Sequence, residues 1–143
     1  RLIILGDAGA GKTTSLQFIA QTFTEAKLLP TELSNLSIDL CMYIELGRFR
    51  LSSGQSPFQL IQILIAEALH TGGASNEPPS LITVNNILSN KRILLLLDGL
   101  NEVKDTIRND CLQAIEDLAQ RYPNNRYVFT SRLHSFVPIK GME

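Results

Sequence analysis

At 143 residues the chain is long enough for one domain with a sizeable core and too short for two. Hydrophobic residues make up 44% and charged residues 19%, which excludes a disordered chain. Thirteen basic residues stand against fourteen acidic ones, a net charge of −1, so neither a nucleic-acid backbone nor an anionic membrane has an electrostatic claim on this segment.

The sequence starts at Arg1, one residue before the apolar run Leu2–Leu5, without an initiator Met or a signal-like region. It reads as an excerpt, residues 1–143, of a longer multidomain protein. Leu2–Leu5 predicts a strand, and directly after it comes Gly6-Asp7-Ala8-Gly9-Ala10-Gly11-Lys12-Thr13-Thr14. Gly6 to Thr13 fits G-x-x-x-x-G-K-S/T without a mismatch. The chemistry of a phosphate cradle needs these types at this spacing. The glycines let backbone N–H groups turn inward, Lys12 brings a compact positive charge to the β- and γ-phosphates, and Thr13 offers a hydroxyl to Mg²⁺. A glycine-rich turn can also join a strand to a helix with no ligand at all. Here Leu16, Ile19, Ala20 and Phe23 follow at helical spacing, so the strand, turn and amphipathic helix that the cradle requires are all present.

Leu40–Leu46 predicts a second strand. Ser56, Pro57 and Gln59 form a helix-start signal, with a capping-box spacing and proline at the first helical position. The helix they open is apolar almost all round, from Phe58 to Leu69, and predicts deep packing. It is interrupted by Gln59, Gln62 and Glu67 and falls short of the roughly 20 apolar residues of a bilayer span. Gly72-Gly73 ends it, Pro78-Pro79 marks a loop, and Leu81, Val84 and Leu88 belong to a short helix.

Ile93–Leu97 predicts a third strand, and it runs into Asp98-Gly99-Leu100-Asn101-Glu102-Val103. A rigid strand ending in Asp98 places a carboxylate where a nucleotide-bound Mg²⁺ needs one; alone, the same Asp is an ordinary turn opener. Glu102, past the strand, is placed to orient an attacking water or else is simply solvated. A helix from about Thr106 to Tyr122 carries Ile107, Cys111, Ile115, Leu118 and Tyr122 on one side, and Pro123-Asn124-Asn125 stops it. Tyr127–Thr130 is the fourth predicted strand, ending in Thr130-Ser131-Arg132, from which Arg132 can sense the charge of a γ-phosphate. Cys41 and Cys111 are isolated within apolar patterns and read as buried thiols of a reducing, cytoplasmic compartment. His70 and His134 lack partners at ligand spacing and read as loop or helix-end residues.

Strands alternating with helices predict an α/β fold with a mainly parallel central sheet. In combination, G-D-A-G-A-G-K-T-T, Y-I-E-L, L-L-L-L-D-G-L-N-E-V and T-S-R closely resemble the NACHT nucleotide-binding domain, one of the STAND signalling NTPases, from Leu2 to about Phe136. The small Gly99 directly after Asp98, with acidic character displaced onward, is the most telling feature. Working AAA+ ATPases place a Glu there. The resemblance implies a P-loop NTPase three-layer α/β/α sandwich of ASCE-type strand order, with the fourth strand between the first and the third. It implies ATP or ADP and Mg²⁺ as ligands, held by the Gly6–Thr14 loop, with Thr13 and Asp98 on the metal and Arg132 as sensor. It also implies helical-lid, winged-helix, effector and sensor domains elsewhere in the chain, and self-association on activation. One departure bears on mechanism: the family commonly has Asp-Glu where this chain has Asn101-Glu102, so hydrolysis rests on Glu102.

The resulting expectation is a nucleotide-state switch that hydrolyses slowly at most. A working AAA+ ATPase or a non-hydrolysing ATP-bound scaffold is the alternative. Asn90-Lys91-Arg92-Ile93 lacks the final Asp of the guanine-reading N-K-x-D, which leaves ATP favoured over GTP. A small-molecule kinase would want an Arg-rich lid, and no Arg-dense segment is present.

Overall fold

The computed structural model describes residues 2–24, 37–51, 54–71 and 76–132. The four apolar runs form strands β1 (Leu2–Leu5), β2 (Leu40–Glu45), β3 (Ile93–Asp98) and β4 (Arg126–Ser131). They make one sheet in the order β1-β4-β3-β2, with every pairing parallel. β4 therefore lies between β1 and β3, as the resemblance implied. The helices are α1 (Lys12–Thr24), α2 (Pro57–Thr71), α3 (Leu81–Asn90) and α4 (Asp105–Arg121). None among the described residues is long and apolar enough to cross a membrane.

Period-two alternation within the strands separates two cores. Ile93, Leu95 and Leu97 of β3, with Met42, Ile44, Tyr127 and Phe129, pack against α2, α3 and α4. Leu94, Leu96 and Val128 point the other way and meet Leu16, Ile19, Ala20 and Phe23 of α1. The result is a three-layer α/β/α sandwich in which, among the described residues, α1 alone covers the second face. β3 is buried along its whole length, which explains its unbroken run of aliphatic residues. β1 is less covered than its apolar sequence suggests. Its Leu2 and Leu5 are 58% and 38% exposed, because it is the edge strand farthest from β2.

Local signals set the helix starts. At the head of α2, Ser56 Oγ accepts the Gln59 N–H (3.2 Å) and Gln59 Oε1 accepts the Ser56 N–H (2.9 Å), the reciprocal bonds that the spacing predicts. Ser80 caps α3 by accepting the Thr83 N–H at 3.2 Å. Strand ends differ from the sequence expectation by single residues. Leu46 leaves β2 and opens a 3₁₀ turn, Leu46–Arg48, with its side chain buried in the larger core. β3 extends to Asp98, which pairs with Glu45, and β4 runs from Arg126 to Ser131. Gly72-Gly73 and His134 lie outside the described residues.

Asn125 does more than end α4. Its side chain is buried, accepts the Ile93 N–H (3.0 Å) and donates to Leu88 O (3.0 Å), so it ties the start of β3 to the end of α3. Removing it leaves a buried donor and a buried acceptor unpaired, at about 1–3 kcal/mol each. Asn125→Ala is expected to lower stability by roughly 2–4 kcal/mol in urea unfolding. A loss below about 0.5 kcal/mol, the range of ordinary surface changes, would show that these two bonds do not brace the sheet.

Candidate nucleotide site

The site lies where the C-terminal ends of the parallel strands meet, and the local sequence explains its shape. After β1 the chain needs two left-handed residues to fold the loop back toward α1. Gly9 (φ 79°) and Gly11 (φ 76°) supply them without a Cβ penalty. The loop is pinned at its base by the Gly6 N–H on Ser131 O (3.3 Å) and across its waist by the Ala10 N–H on Asp7 O (3.2 Å). The Ser15 N–H then closes the first helical bond on Gly11 O at 2.8 Å. The N–H groups ahead of it have no carbonyl one turn upstream, so the start of α1 offers donors and a positive dipole end.

Lys12 folds its ammonium onto the loop, donating to Gly6 O (2.6 Å) and Asp7 O (2.7 Å). Those two residues thus hold the lysine and do not line the cavity. Ala8 through Thr14 do line it, together with Asp98, Gly99, Asn101, Glu102, Thr130 and Arg132, around about 290 Å³. Every other residue expected at the nucleotide site therefore borders one space.

Across from the loop stands Asp98, 7% exposed at the end of β3. Thr130 Oγ1 donates to its Oδ1 and the Tyr43 phenol donates to its Oδ2 at 2.8 Å. Thr130 Oγ1 in turn accepts the Gly99 N–H at 2.9 Å. Among the described residues no lysine, arginine or histidine forms an ion pair with Asp98. A buried carboxylate supported only by hydroxyls is poorly compensated, and a cation beside it would offset that cost. Thr13 and Asp98 offer hard oxygen donors on the same cavity, a set that suits Mg²⁺ better than a soft metal. A polyphosphate fits the loop for the complementary reason: exposed backbone donors, a helix start and one ammonium.

Tyr43 has its pKa raised far above the phenol range by burial first and then by the hydrogen bond and charge of Asp98, so it stays a donor. Burial likewise pushes the Cys41 and Cys111 thiols up to about 12; Cys111 is fully enclosed and Cys41 half-buried against the α1 face. Neither thiol has the low-pKa surroundings of a reactive cysteine.

Beyond Asp98 the chain turns through Gly99 in the left-handed region (φ 77°) into a 3₁₀ turn, Leu100–Glu102. The exposed Glu102 side chain lies back against two glycines. A Cβ on Gly47 would stand 3.0 Å from Glu102 Oε2, and one on Gly99 would stand 3.0 Å from Glu102 Cδ. Arg108 braces this turn from below, donating to Val103 O at 2.9 Å and pairing with Asp105 at 2.5 Å. Arg132 is exposed where β4 ends.

Two contributors escaped the sequence reading as partners of Asp98. Thr130 was legible only as part of a polar strand end, and Tyr43 only as part of a motif string. Both depend on which strands lie side by side.

No curated protein sequence matches the chain. Among solved structures, Cdc6p from Pyrobaculum aerophilum is similar over 99% of this chain, with a TM-score of 0.56 and 19% sequence identity, a likeness of fold. This chain spans 37% of the length of that one. The NACHT domain pattern matches residues 1–140, nearly the whole chain. With the phosphate-loop geometry, the β1-β4-β3-β2 order and the strand-end Asp98 already established, that match settles the family: the chain belongs to the NACHT domains and is a nucleotide-binding module of the P-loop NTPase fold.

Proposed function

We propose that the chain is the nucleotide-reading core of a signalling switch that binds ATP or ADP with Mg²⁺ and hydrolyses slowly at most. The observation that carries this reading is the cavity bordered by the Ala8–Thr14 loop on one side and, on the other, by a buried Asp98 that makes no ion pair among the described residues. The loop's N–H groups and Lys12 hold phosphate oxygens, which requires Lys12 to give up its two loop carbonyls. Thr13 and Asp98 hold the magnesium, which when bound neutralises charge on the phosphates. Arg132 faces the same cavity and reads the extra charge of the γ-phosphate.

Slow turnover is supported by the residues after the metal aspartate. Gly99 follows Asp98 directly, Asn101 cannot accept a proton, and the first carboxylate after them in the chain, Glu102, sits on a solvent-exposed turn. Nucleotide state would then be communicated to lid, effector and sensor domains of the longer protein in the cytoplasm, and would gate self-association.

Lys12→Ala is expected to weaken Mg·ATP binding by on the order of 2–4 kcal/mol, measured calorimetrically, with the fold retained. Undiminished affinity in a folded variant would remove the cradle assignment. A steady-state turnover near or above about 1 s⁻¹ in the full-length protein would identify a working ATPase instead of a switch.

Asp98 and Glu102 divide two jobs on this reading. Asp98→Asn is expected to reduce magnesium-dependent affinity, whereas Glu102→Gln keeps affinity and eliminates the hydrolysis that the full-length protein shows. Hydrolysis at the parental rate in Glu102→Gln would exclude Glu102 as the water-orienting group.

Arg132→Ala is expected to weaken ATP binding by about 1–3 kcal/mol more than ADP binding, because charge-assisted hydrogen bonds to the γ-phosphate are absent with ADP. Paired titrations of parent and variant measure the difference. Equal losses for both nucleotides would make Arg132 a general phosphate contact without a sensing role.

A further inference from the structure

Tyr43 bonds to one half of the proposed magnesium site and shares a cavity with the other. It lies two residues before Glu45, whose strand partner is Asp98, so Tyr43, Glu45 and Asp98 share the sheet face turned toward α1. Its phenol donates to Asp98 Oδ2 at 2.8 Å, the oxygen that Thr130 does not use. Gln17, one helical turn after Thr13 on α1, stands on the same side of the site. Tyr43, Gln17, Thr13, Asp98 and Glu102 all line a second polar cavity of about 400 Å³ that opens from the metal side of the phosphate loop.

We propose that Tyr43 is a positioning residue for magnesium: it fixes the plane of the Asp98 carboxylate on the cavity that Thr13 also lines. This inference rests on the nucleotide-binding reading above. A carboxylate held at one oxygen still rocks about its terminal torsion, which has broad minima. Donors on both oxygens remove that freedom, and each oxygen keeps a lone pair for a metal or its waters. The phenol is suited to the task because it donates to the carboxylate without bringing a charge that would compete with the cation. The ring itself also packs in the smaller core, so the hydroxyl and the ring have separable roles.

Tyr43→Phe keeps the ring and removes the donor. In the full-length protein, ATP affinity measured with saturating magnesium and again in EDTA separates the two roles. The variant is expected to lose about 10-fold in the magnesium-dependent gain in affinity, the scale for losing a residue that orients a metal ligand, with the EDTA value unchanged. Equal losses in both conditions, or no loss in either, would leave Tyr43 a packing residue and overturn the proposal. A gain in magnesium affinity would overturn it too, since the phenol would then be competing with the metal. Asp98→Asn measured in parallel distinguishes the two levels of inference. If it abolishes the magnesium dependence while Tyr43→Phe does not change it, the Tyr43 role alone is wrong. If Asp98→Asn retains full magnesium dependence, the metal assignment falls and the Tyr43 role falls with it.

Discussion

A carboxylate withdrawn from water at the end of a fully buried strand is the constraint around which this fold is arranged. Asp98 ends six consecutive buried residues of β3 and is supported by two hydroxyls, with no cationic side chain paired to it among the described residues. Such a group is unfavourable in a purely structural role, where an apolar residue of similar volume would pack at less cost. Its presence is explained when the deficit is made good by a ligand. The phosphate loop opposite supplies the other half of that argument, since a helix start and an ammonium seek an anion as Asp98 seeks a cation. A magnesium-bound nucleotide carries both charges, and it answers both sides at once.

The strand order makes this meeting possible. Placing β4 between β1 and β3 puts the Thr130 hydroxyl beside Asp98 and anchors the base of the phosphate loop on Ser131. Placing β2 outside β3 brings the Tyr43 phenol to the remaining carboxylate oxygen. Parallel pairing throughout collects every strand's C-terminal end on one edge, where loops from separate parts of the sequence converge on a ligand. Asn125 holds the opposite end of the same sheet by bonding to β3 and α3, so the site sits on a braced layer.

Features encoded by short-range pattern were legible before the fold was known. The phosphate loop, the four strands, the capping box at Ser56 and Gln59, and the stripe Leu16–Phe23 all follow from spacing over a few residues. Features that depend on register were not. Tyr43 is 55 positions from Asp98 in sequence, and only the Glu45–Asp98 pairing makes them neighbours. Thr130 is 32 positions away and becomes a partner because β4 is inserted beside β3. The strand order itself came from the family resemblance and not from periodicity, which carries no information on neighbours. Exposure of Leu2 and Leu5 was equally invisible, because an apolar run reads the same at the edge of a sheet as at its centre. Gly47 was silent in the sequence for another reason. Its place is explained by the side chain of Glu102, which comes from a different element.

The way these groups are mounted bears on switching against turnover. The proposed binding groups stand on rigid supports: the first turn of α1, the last residue of β3 and the end of β4. Rigid elements hold a site to the tolerances that tight binding requires. Glu102 is mounted differently, exposed on a three-residue 3₁₀ turn and lying against two glycines from separate elements. A carboxylate that must orient water within hydrogen-bond reach gains little from such a mount, and the neighbouring Asn101 cannot substitute for it. On the proposed reading, nucleotide is held by strand and helix ends while the hydrolytic group stands on a solvent-exposed turn. That imbalance is what a protein needs if its bound nucleotide is to last long enough to be read. It also moves the burden of discrimination to Arg132, because nucleotides bound equally well in both conformations would shift neither.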